Sequence, residues 1–255
     1  MAYFKVLTMS NPKTIKGVKR GYLPFILHLA PHRLSGVATV CPMVTLGCSA
    51  ACLNTAGRGG MMKRGETTNA IQEARKRKTR LLFSDREAFL ASLVQEVGRA
   101  IRAAIKRRLT PVFRLNGTSD LRWEIMPVKR DGAEYPSIFH AFPEVQFYDY
   151  TKLPNRRVAN IPNYHLTFSL ADGNESHAAE ALAKDISVAA VFRVKRGAPL
   201  PNAYMGRPVI DGDDTDLRFL DPPGVIISLR AKGKAIRDTS GFVKDVAAVS
   251  TANAA

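Results

Sequence analysis

The chain has 255 residues, of which 45% are hydrophobic, and it carries a formal net charge of +16 at pH 7. This length and apolar content are enough to bury a large core. No apolar run approaches the roughly 20 residues of a membrane-spanning helix, and the N-terminus lacks the pattern of a secretory signal. These features argue against a membrane protein and a secreted protein, and they predict a protein of the cytoplasm.

The positive charge is concentrated in the first half of the chain. Residues 1–130 contain 24 Lys and Arg against 7 Asp and Glu, whereas residues 131–255 contain 14 against 15. Because a positive field of this size attracts polyanions, we predict nucleic acid or a nucleotide as the partner of the basic N-terminal half. The alternative is a basic surface that is solvated and has no partner.

The sequence predicts three helices: a very basic one near residues 66–82, a second at about 85–108, and a crossover helix between strands at 176–184. In the second, apolar residues recur at helical spacing from Phe89 to Ile105, and basic residues occupy its other faces. Ser84 is its predicted N-cap, because Glu87 three residues later completes a capping box.

Apolar runs separated by connections of helix length predict a parallel sheet covered by helices. The predicted strands are residues 21–30, 111–115, 145–148, 164–168, 188–192 and 224–229. We therefore predict a single α/β domain over residues 1–238. Residues 239–255 are mostly small or polar, and we predict a flexible C-terminal tail there.

Polar residues occur where several of these apolar runs end. Cysteines follow the first run, Asn116 to Asp120 follow the second, Asp149 to Lys152 follow the third, and Ser169 follows the fourth. In parallel α/β proteins the ligand lies at the carboxyl ends of the strands, where the loops converge. We therefore expect these polar residues to share one rim.

Cys41, Cys48 and Cys52 are the only cysteines of the chain and lie within 12 residues, in a loop that we place at residues 41–60. In a reducing compartment, an odd and tightly spaced set of cysteines favours a metal over disulfides. Three thiolates suit an iron-sulfur cluster that keeps one iron open. Zinc with a fourth ligand such as His28 or His32 is the alternative, and thiols without a metal are the third possibility.

The three-cysteine loop after the first strand resembles that of the radical S-adenosylmethionine enzymes. In those enzymes such a loop holds a 4Fe-4S cluster whose open iron takes the amino and carboxylate groups of S-adenosylmethionine. The position of the loop matches, and its C-x6-C-x3-C spacing differs from the usual C-x3-C-x2-C. The resemblance implies a partial or irregular parallel (βα) barrel.

A closer resemblance is to a family of bacteriophage proteins called gene product eighty-eight, and it covers nearly the whole chain. It implies a phage protein in the host cytoplasm and implies no particular activity. The segments that carry it are Val40–Pro42, Gly47–Cys48, Ala51–Gly59, Arg114–Asp120, Phe147–Lys152, Asn163–Ser169 and Asp211–Asp213.

The resemblance to the radical enzymes also implies a role for the polar turn after the second strand. It would hold the methionine end of S-adenosylmethionine, and Ser169 would reach the ribose or the substrate. The alternative for the turn is a plain Asx turn, which needs only this composition. The predicted cofactor-binding residues are Asn116, Gly117, Thr118, Ser119, Asp120 and Ser169.

Five further side chains are candidates for binding substrate: Arg114, Asp149, Lys152, His165 and Asp211. Solvated strand ends are the alternative for Asp149 and Lys152, and a hydrogen-bonded core histidine is the alternative for His165. Asp211 begins an acidic turn that lacks the terminal glutamate of a calcium loop, so we expect its carboxylates to pair with Arg207 or Arg218.

From these observations we predict an iron-sulfur enzyme of the radical S-adenosylmethionine type, acting on a nucleotide or a nucleic acid. Its cofactors would be a 4Fe-4S cluster on the three cysteines and S-adenosylmethionine. The alternative is a zinc-stabilised nucleic-acid-binding protein without catalysis.

Overall fold

The computed structural model describes residues 4–9 and 12–245, and their contacts separate into two compact units. Unit 1 comprises the described residues up to Pro42 together with Arg64–Asp149 and Arg156–His165. Unit 2 comprises Met43–Lys63, Tyr150–Asn155 and the described residues from Leu166 onward. The single domain over residues 1–238 stays a prediction.

The described residues form six α-helices and twelve strands. In chain order they are β1 (Leu7–Thr8), α1 (Pro12–Val18), β2 (Tyr22–Leu27), α2 (Leu46–Ala50), α3 (Ala70–Ser84), α4 (Arg86–Lys106), β3 (Thr110–Arg114), β4 (Val128–Arg130), β5 (Ala133–Tyr135), α5 (Ile138–Ala141), β6 (Gln146–Thr151), β7 (Tyr164–Ser169), α6 (Glu175–Ala183), β8 (Val188–Phe192), β9 (Ala203–Tyr204), β10 (Arg207–Asp211), β11 (Ile226–Arg230) and β12 (Val243–Lys244).

Unit 1 is built on parallel strands. β2 pairs in parallel with β3 from Tyr22 opposite Thr110 onward, and β3 pairs in parallel with the start of β6. Phe25, Phe113 and Phe147 stand side by side on these three strands, with ring centroids 5.4 and 5.3 Å apart. Such cross-strand aromatic pairs stabilise the register of a sheet. β1 adds an antiparallel edge to β2. The long helix α4 has a buried apolar face, whereas α3 buries Lys78, Thr79 and Leu82.

Unit 2 is centred on β8. β11 pairs in parallel along the whole length of β8, while β7 pairs with its first two residues and β12 with its last two. β10 continues the sheet in parallel beyond β11, and β9 closes it in antiparallel orientation. Helix α6 packs Ala178 and Leu182 into the same core as Phe168 and Phe192.

The prediction of an α/β protein with mostly parallel strands is therefore confirmed, and the partial or irregular barrel stays a prediction. The six predicted strands all appear, as do the three predicted helices with shifted ends. The short strand β12 lies within the segment that we predicted to be a tail. The rest of that segment, residues 246–255, lies outside the described residues.

Two predictions about the ends of elements are wrong. Ser84 is the last residue of α3, and the N-cap of α4 is Asp85, whose carboxylate accepts a hydrogen bond from the backbone N–H of Ala88. β6 extends to Thr151, so Asp149 lies inside the strand instead of after it. A carboxyl group is tolerated there because it is hydrogen-bonded.

A buried carboxylate connects the N-terminal segment to the long helices of unit 1. Glu96 of α4 accepts hydrogen bonds from the backbone N–H groups of Val6, at 3.0 Å, and Leu7, at 2.6 Å. Lys78 of α3 donates from its ammonium to the carbonyl of Val6 at 3.1 Å. Burial and the charge of Arg75 lower the pKa of Lys78 to about 8, and the charge of Glu96 opposes this shift.

We expect Glu96→Ala to destabilise the protein by about 3 kcal/mol. The change leaves two backbone N–H groups without their charged acceptor and removes the negative charge that favours the Lys78 ammonium. Urea unfolding measures the loss, with Gln95→Ala, at an exposed position of the same helix, as the control. Equal stability of the two variants would show that this carboxylate does not secure the N-terminal segment.

Candidate functional site

The segment that carries Cys48 is fixed by Asp172, which follows β7 in unit 2. The hydroxyl of Thr45 donates a short hydrogen bond to one oxygen of Asp172, and the backbone N–H of Gly47 donates to the other at 3.1 Å. Thr45 also caps α2, because its hydroxyl oxygen accepts from the backbone N–H of Cys48 at 3.1 Å. Burial alone would raise the pKa of Asp172, but these hydrogen bonds outweigh it and lower the pKa.

Close packing permits only glycine at position 47. A Cβ there would lie 2.0 Å from the hydroxyl oxygen of Ser240 and 2.8 Å from the Cβ of Phe242. Farther along the segment, a Cβ on Gly60 would lie 1.9 Å from the carbonyl oxygen of Thr55. The segment is therefore closely packed within unit 2.

Cys52 follows α2 at a second local bend. Its carbonyl oxygen accepts hydrogen bonds from the hydroxyl of Thr55, at 3.1 Å, and from the backbone N–H of Thr55, at 3.3 Å. Cys48 and Cys52 are both half-buried, and neither forms a disulfide in the described structure. Unit 2 thus holds two accessible thiols on a backbone whose bends are hydrogen-bonded.

Cys41 lies in unit 1, where its thiol sulfur accepts a hydrogen bond from the backbone N–H of His32 at 3.3 Å. The carbonyl oxygen of Thr118 lies 3.9 Å from the same sulfur. Cys41 is half-buried and free of disulfide bonds. Unit 1 therefore brings the first cysteine against the turn after β3, as the shared rim predicts for this pair.

A metal site requires several ligand side chains grouped around one point. Over residues 4–9 and 12–245, no three side chains of His, Cys, Asp or Glu form a group that could hold a metal ion. Thiols are suitable donors for iron or zinc, but the described residues do not assemble a ligand set. We therefore derive no catalytic step through a metal.

The turn after β3 is tied to the end of β2. The backbone N–H of Gly117 donates to the carbonyl of Leu27 at 3.0 Å, and the hydroxyl of Thr118 donates to the carbonyl of Leu29 at 2.6 Å. A Cβ on Gly117 would lie 2.7 Å from that same Leu27 oxygen, so glycine is required by the close approach of the two chains.

Asn116 organises the turn from inside. Its side-chain oxygen accepts hydrogen bonds from the hydroxyl of Ser119, the backbone N–H of Leu121 and the indole of Trp123, at 2.8–3.1 Å. It is only 2% exposed. Asp120, also buried, donates its backbone N–H to the carbonyl of Val40. These contacts favour a structural role for Asn116 within the turn over direct binding of a cofactor. Gly117, Thr118 and Ser119 are half-exposed.

Asp149 is fully buried beside Asn116. Its carboxylate accepts from the backbone N–H of Asn116, at 2.6 Å, and from the hydroxyl of Tyr164, at 3.1 Å. Burial raises the pKa of Asp149 to about 7, although these hydrogen bonds and the charges of Arg114 and Arg156 oppose the shift. This carboxyl group can hold a proton near neutral pH.

The polar network continues from Tyr164 to a buried ion pair. Arg156 donates to the hydroxyl of Tyr164 at 3.1 Å and binds both oxygens of Glu124, at 3.1 and 2.5 Å. Asp120 lies 3.6 Å from the same guanidinium. Sequence reasoning did not select Tyr164, Arg156 or Glu124, since their partners are distant in sequence.

The other predicted substrate-binding residues are dispersed between the units. His165 lies half-buried in unit 1 within β7, and Arg114 is the half-buried last residue of β3. In unit 2, Lys152 follows β6, and the carbonyl of Ser169, which ends β7, accepts from the side chain of Asn174. Their roles in binding substrate stay predictions.

Asp211 ends β10 and is engaged in ion pairs within unit 2. Its carboxylate lies 2.8 Å from Arg230, and Asp213 binds Lys232 at 2.5 Å. The two arginines that we predicted as partners of this turn lie close to other carboxylates, Arg207 to Asp185 and Arg218 to Asp221. β11 brings Arg230 alongside β10, which the sequence spacing did not indicate.

A family model described as Gene product 88 matches residues 5–246. The chain belongs to the Gene product 88 family. This match confirms the resemblance to that phage family, while the resemblance to radical S-adenosylmethionine enzymes stays a prediction. No curated protein and no solved structure matches the chain. Among the described residues of this family member, no helix has both the length and the apolar character needed to cross a membrane.

In this member of the Gene product 88 family, we expect Gly47→Ala to destabilise the fold by about 2 kcal/mol, because the added methyl group overlaps Ser240 and Phe242. The same substitution at Gly98 within α4 meets its nearest atom at 3.7 Å and removes a helix-interior glycine. We expect that control to stabilise the protein by up to about 1 kcal/mol. Thermal unfolding compares the two, and a neutral Gly47→Ala would contradict the close packing.

The raised pKa of Asp149 predicts a stability that falls as pH rises. Between pH 3.8 and about 7 the carboxyl group is protonated in the folded chain and ionised in the unfolded chain, so ionisation increasingly favours unfolding. Relative to Asp149→Asn, the wild type should lose about 1 kcal/mol per pH unit across this window. Urea unfolding at several pH values measures the difference.

The matched control for this carboxyl-to-amide change is Glu134→Gln, at an exposed position of β5. Asp149→Asn keeps an oxygen that can accept from the backbone N–H of Asn116, which limits its structural cost. A constant difference between wild type and Asp149→Asn from pH 4 to 7 would contradict a buried, protonated carboxyl.

Proposed function

We propose that this protein binds an iron-sulfur cluster through the thiolates of Cys41, Cys48 and Cys52. The observation that carries the proposal is the construction of the Cys48 and Cys52 segment, which Thr45, Asp172 and Gly47 hold in a defined conformation. A pre-organised ligand segment lowers the entropic cost of binding a metal. Cys41 precedes this segment by only seven residues in the chain and supplies the third thiol.

Three thiolates favour iron-sulfur over zinc as the metal. Structural zinc usually has four protein ligands, and Cys41, Cys48 and Cys52 exhaust the cysteines of the chain. A histidine such as His28 or His32 would have to complete a zinc site. The chemistry that a cluster with one open iron would supply is binding of a small ligand and transfer of an electron to it.

The enzyme hypothesis adds S-adenosylmethionine as the cofactor, a partial parallel barrel as the fold and a nucleotide or nucleic acid as the substrate. Support for it comes from the proximity of Cys41 to the turn after β3, whose Thr118 carbonyl lies 3.9 Å from the sulfur. In this turn Gly117, Thr118 and Ser119 are the residues open to a ligand, while Asn116 and Asp120 support them. Ser169 and Lys152 are assigned to the ribose or the substrate.

The other residues proposed to bind substrate differ in how exposed they are and in what they contact. Arg114 and His165 are half-buried and are assigned to the substrate. Asp149 has no exposed surface, so its proposed role is to hold a proton beneath the turn and position Asn116. Asp211 is engaged with Arg230, and its contact with substrate is the least supported of the set.

A second candidate function is nucleic-acid binding by a zinc-stabilised protein without catalysis. It is favoured by the exposed side chains of Arg99, Arg102 and Lys106 on α4. Spacings of three and four residues place these cations on one face of the helix. Repeated cations on an exposed face attract the phosphates of a nucleic acid.

Metal analysis of protein purified without oxygen distinguishes these functions. We expect stoichiometric iron and sulfide and a broad visible absorbance that dithionite bleaches. Replacement of Cys41, Cys48 or Cys52 by serine should each remove most of the iron, because a cluster loses a thiolate ligand. Ser49→Ala, beside Cys48, is the matched control and should retain it.

The other outcomes each contradict part of the proposal. A colourless protein with stoichiometric zinc would contradict the iron-sulfur cluster and support the second candidate function. Iron that survives all three cysteine substitutions would contradict the assigned ligands. If the protein binds iron but does not cleave S-adenosylmethionine to 5′-deoxyadenosine, the iron-sulfur cluster is supported and the radical enzyme activity is contradicted.

A further inference from the structure

Six basic residues come together at the amino ends of β2 and β3 in unit 1. α1 ends at Val18 and leads into β2, while α4 ends at Lys106 and leads into β3. Because the two strands are parallel and Tyr22 pairs with Thr110, the connections that enter them lie side by side. We call this surface the basic edge, and it consists of Lys16, Lys19, Arg20, Lys106, Arg107 and Arg108.

Hydrogen bonds fix the two connections against each other. The backbone N–H of Thr110 donates to the carbonyl of Gly21 at 2.8 Å. This hydrogen bond joins the end of the α1–β2 connection to the start of β3, which follows the α4–β3 connection. Gly21 has a φ of 84° and Arg108 a φ of 56°, so both connections turn sharply into their strands. The backbone that carries the basic edge is therefore held in place by the sheet.

The basic edge is exposed and has little negative charge near it in sequence. All six side chains belong to exposed residues. Residues 12–30 and 97–119 contain no Asp or Glu. Glu144, which precedes the neighbouring strand β6, lies 3.4 Å from Arg130 and is partly neutralised by it. The segments that form the basic edge therefore contribute no Asp or Glu of their own.

The arrangement suits an extended polyanion better than a single anion. On α4 the exposed cations continue from Lys106 back through Arg102 to Arg99, a rise of about 10 Å along the helix axis at 1.5 Å per residue. A row of exposed cations of this length matches successive phosphates of a strand, whereas a single phosphate is usually enclosed by converging donors. We propose that the basic edge binds the phosphate backbone of nucleic acid.

This inference rests on the second candidate function and gives it a location. Cys41 and the turn after β3 follow the carboxyl ends of β2 and β3, whereas the basic edge precedes their amino ends. A five-residue strand spans roughly 17 Å. Phosphate binding therefore uses a surface of unit 1 that is separate from the predicted cofactor turn.

The experiment measures binding of the full chain to fluorescently labelled single-stranded DNA, duplex DNA and RNA across a salt series. Two variants test the two connections separately: Lys19→Gln with Arg20→Gln, and Lys106→Gln with Arg107→Gln. The chain offers a matched control in Lys195→Gln with Arg196→Gln, an exposed Lys-Arg pair in the loop after β8. Unfolding curves establish that all three variants are folded.

We expect each edge variant to weaken binding and to flatten its salt dependence. If both replaced side chains contact phosphates, the slope of log affinity against log salt should fall in magnitude by about 1.8 for duplex DNA or about 1.4 for a single strand. The Lys195 and Arg196 control should bind with the wild-type slope and affinity.

The remaining outcomes overturn the inference in distinguishable ways. If the edge variants bind as tightly as the wild type, or if the control variant weakens binding by the same amount, the basic edge is not the binding site. The protein would then still bind nucleic acid, but through another surface. Absence of wild-type binding at low salt removes the second candidate function as well. Ile15, Val18 and Ile105 are exposed beside these cations, so binding to phosphatidylserine vesicles in place of oligonucleotides would assign the edge to a membrane surface.

Discussion

The parallel pairing of β2 with β3 is the constraint on which both candidate surfaces of unit 1 depend. Parallel strands bring like ends together, so the segments after β2 and β3 meet at one end and the segments before them meet at the other. At the carboxyl ends this places Cys41 beside Thr118. At the amino ends it joins Gly21 to Thr110 and gathers the cations of two helices. The stacked rings of Phe25 and Phe113 help to hold this register.

Buried ionisable groups impose a second constraint, because each must find a partner before it can leave water. Glu96 is satisfied by the backbone of Val6 and Leu7. Asp149 meets the requirement differently, with hydrogen bonds from Asn116 and Tyr164 and a pKa raised to about 7 by burial. The carboxyl group of Asp149 therefore supports the turn after β3 from within the core, because it accepts the backbone N–H of Asn116.

The cysteine segment of unit 2 follows the same logic with different groups. Asp172 uses both oxygens to hold the start of α2, and the close approach of Ser240 and Phe242 leaves no space for a side chain at Gly47. Hydrogen bonding and packing therefore fix the position of Cys48 within unit 2.

Much of the fold was predictable because its signals are local. Apolar runs identified the six main strands, and helical spacing of apolar residues identified α4. The Asp131-Gly132 pair between β4 and β5, in which both residues have positive φ, was a hairpin signal that could also have been read. The short strands β9 and β12 have too few residues to establish a period.

The sequence by itself determined the strand-rich α/β composition, the grouping of three cysteines and the concentration of positive charge in the first half. Only the tertiary structure decided that Asp149 is enclosed within β6, that Asp172 holds a segment 127 residues away, and that two separate basic connections become neighbours. Hydrophobic periodicity indicates only whether a segment is a helix or a strand and which of its faces is buried. Partners distant along the chain are selected by sheet pairing and by the need to satisfy buried polar groups, neither of which leaves a local pattern.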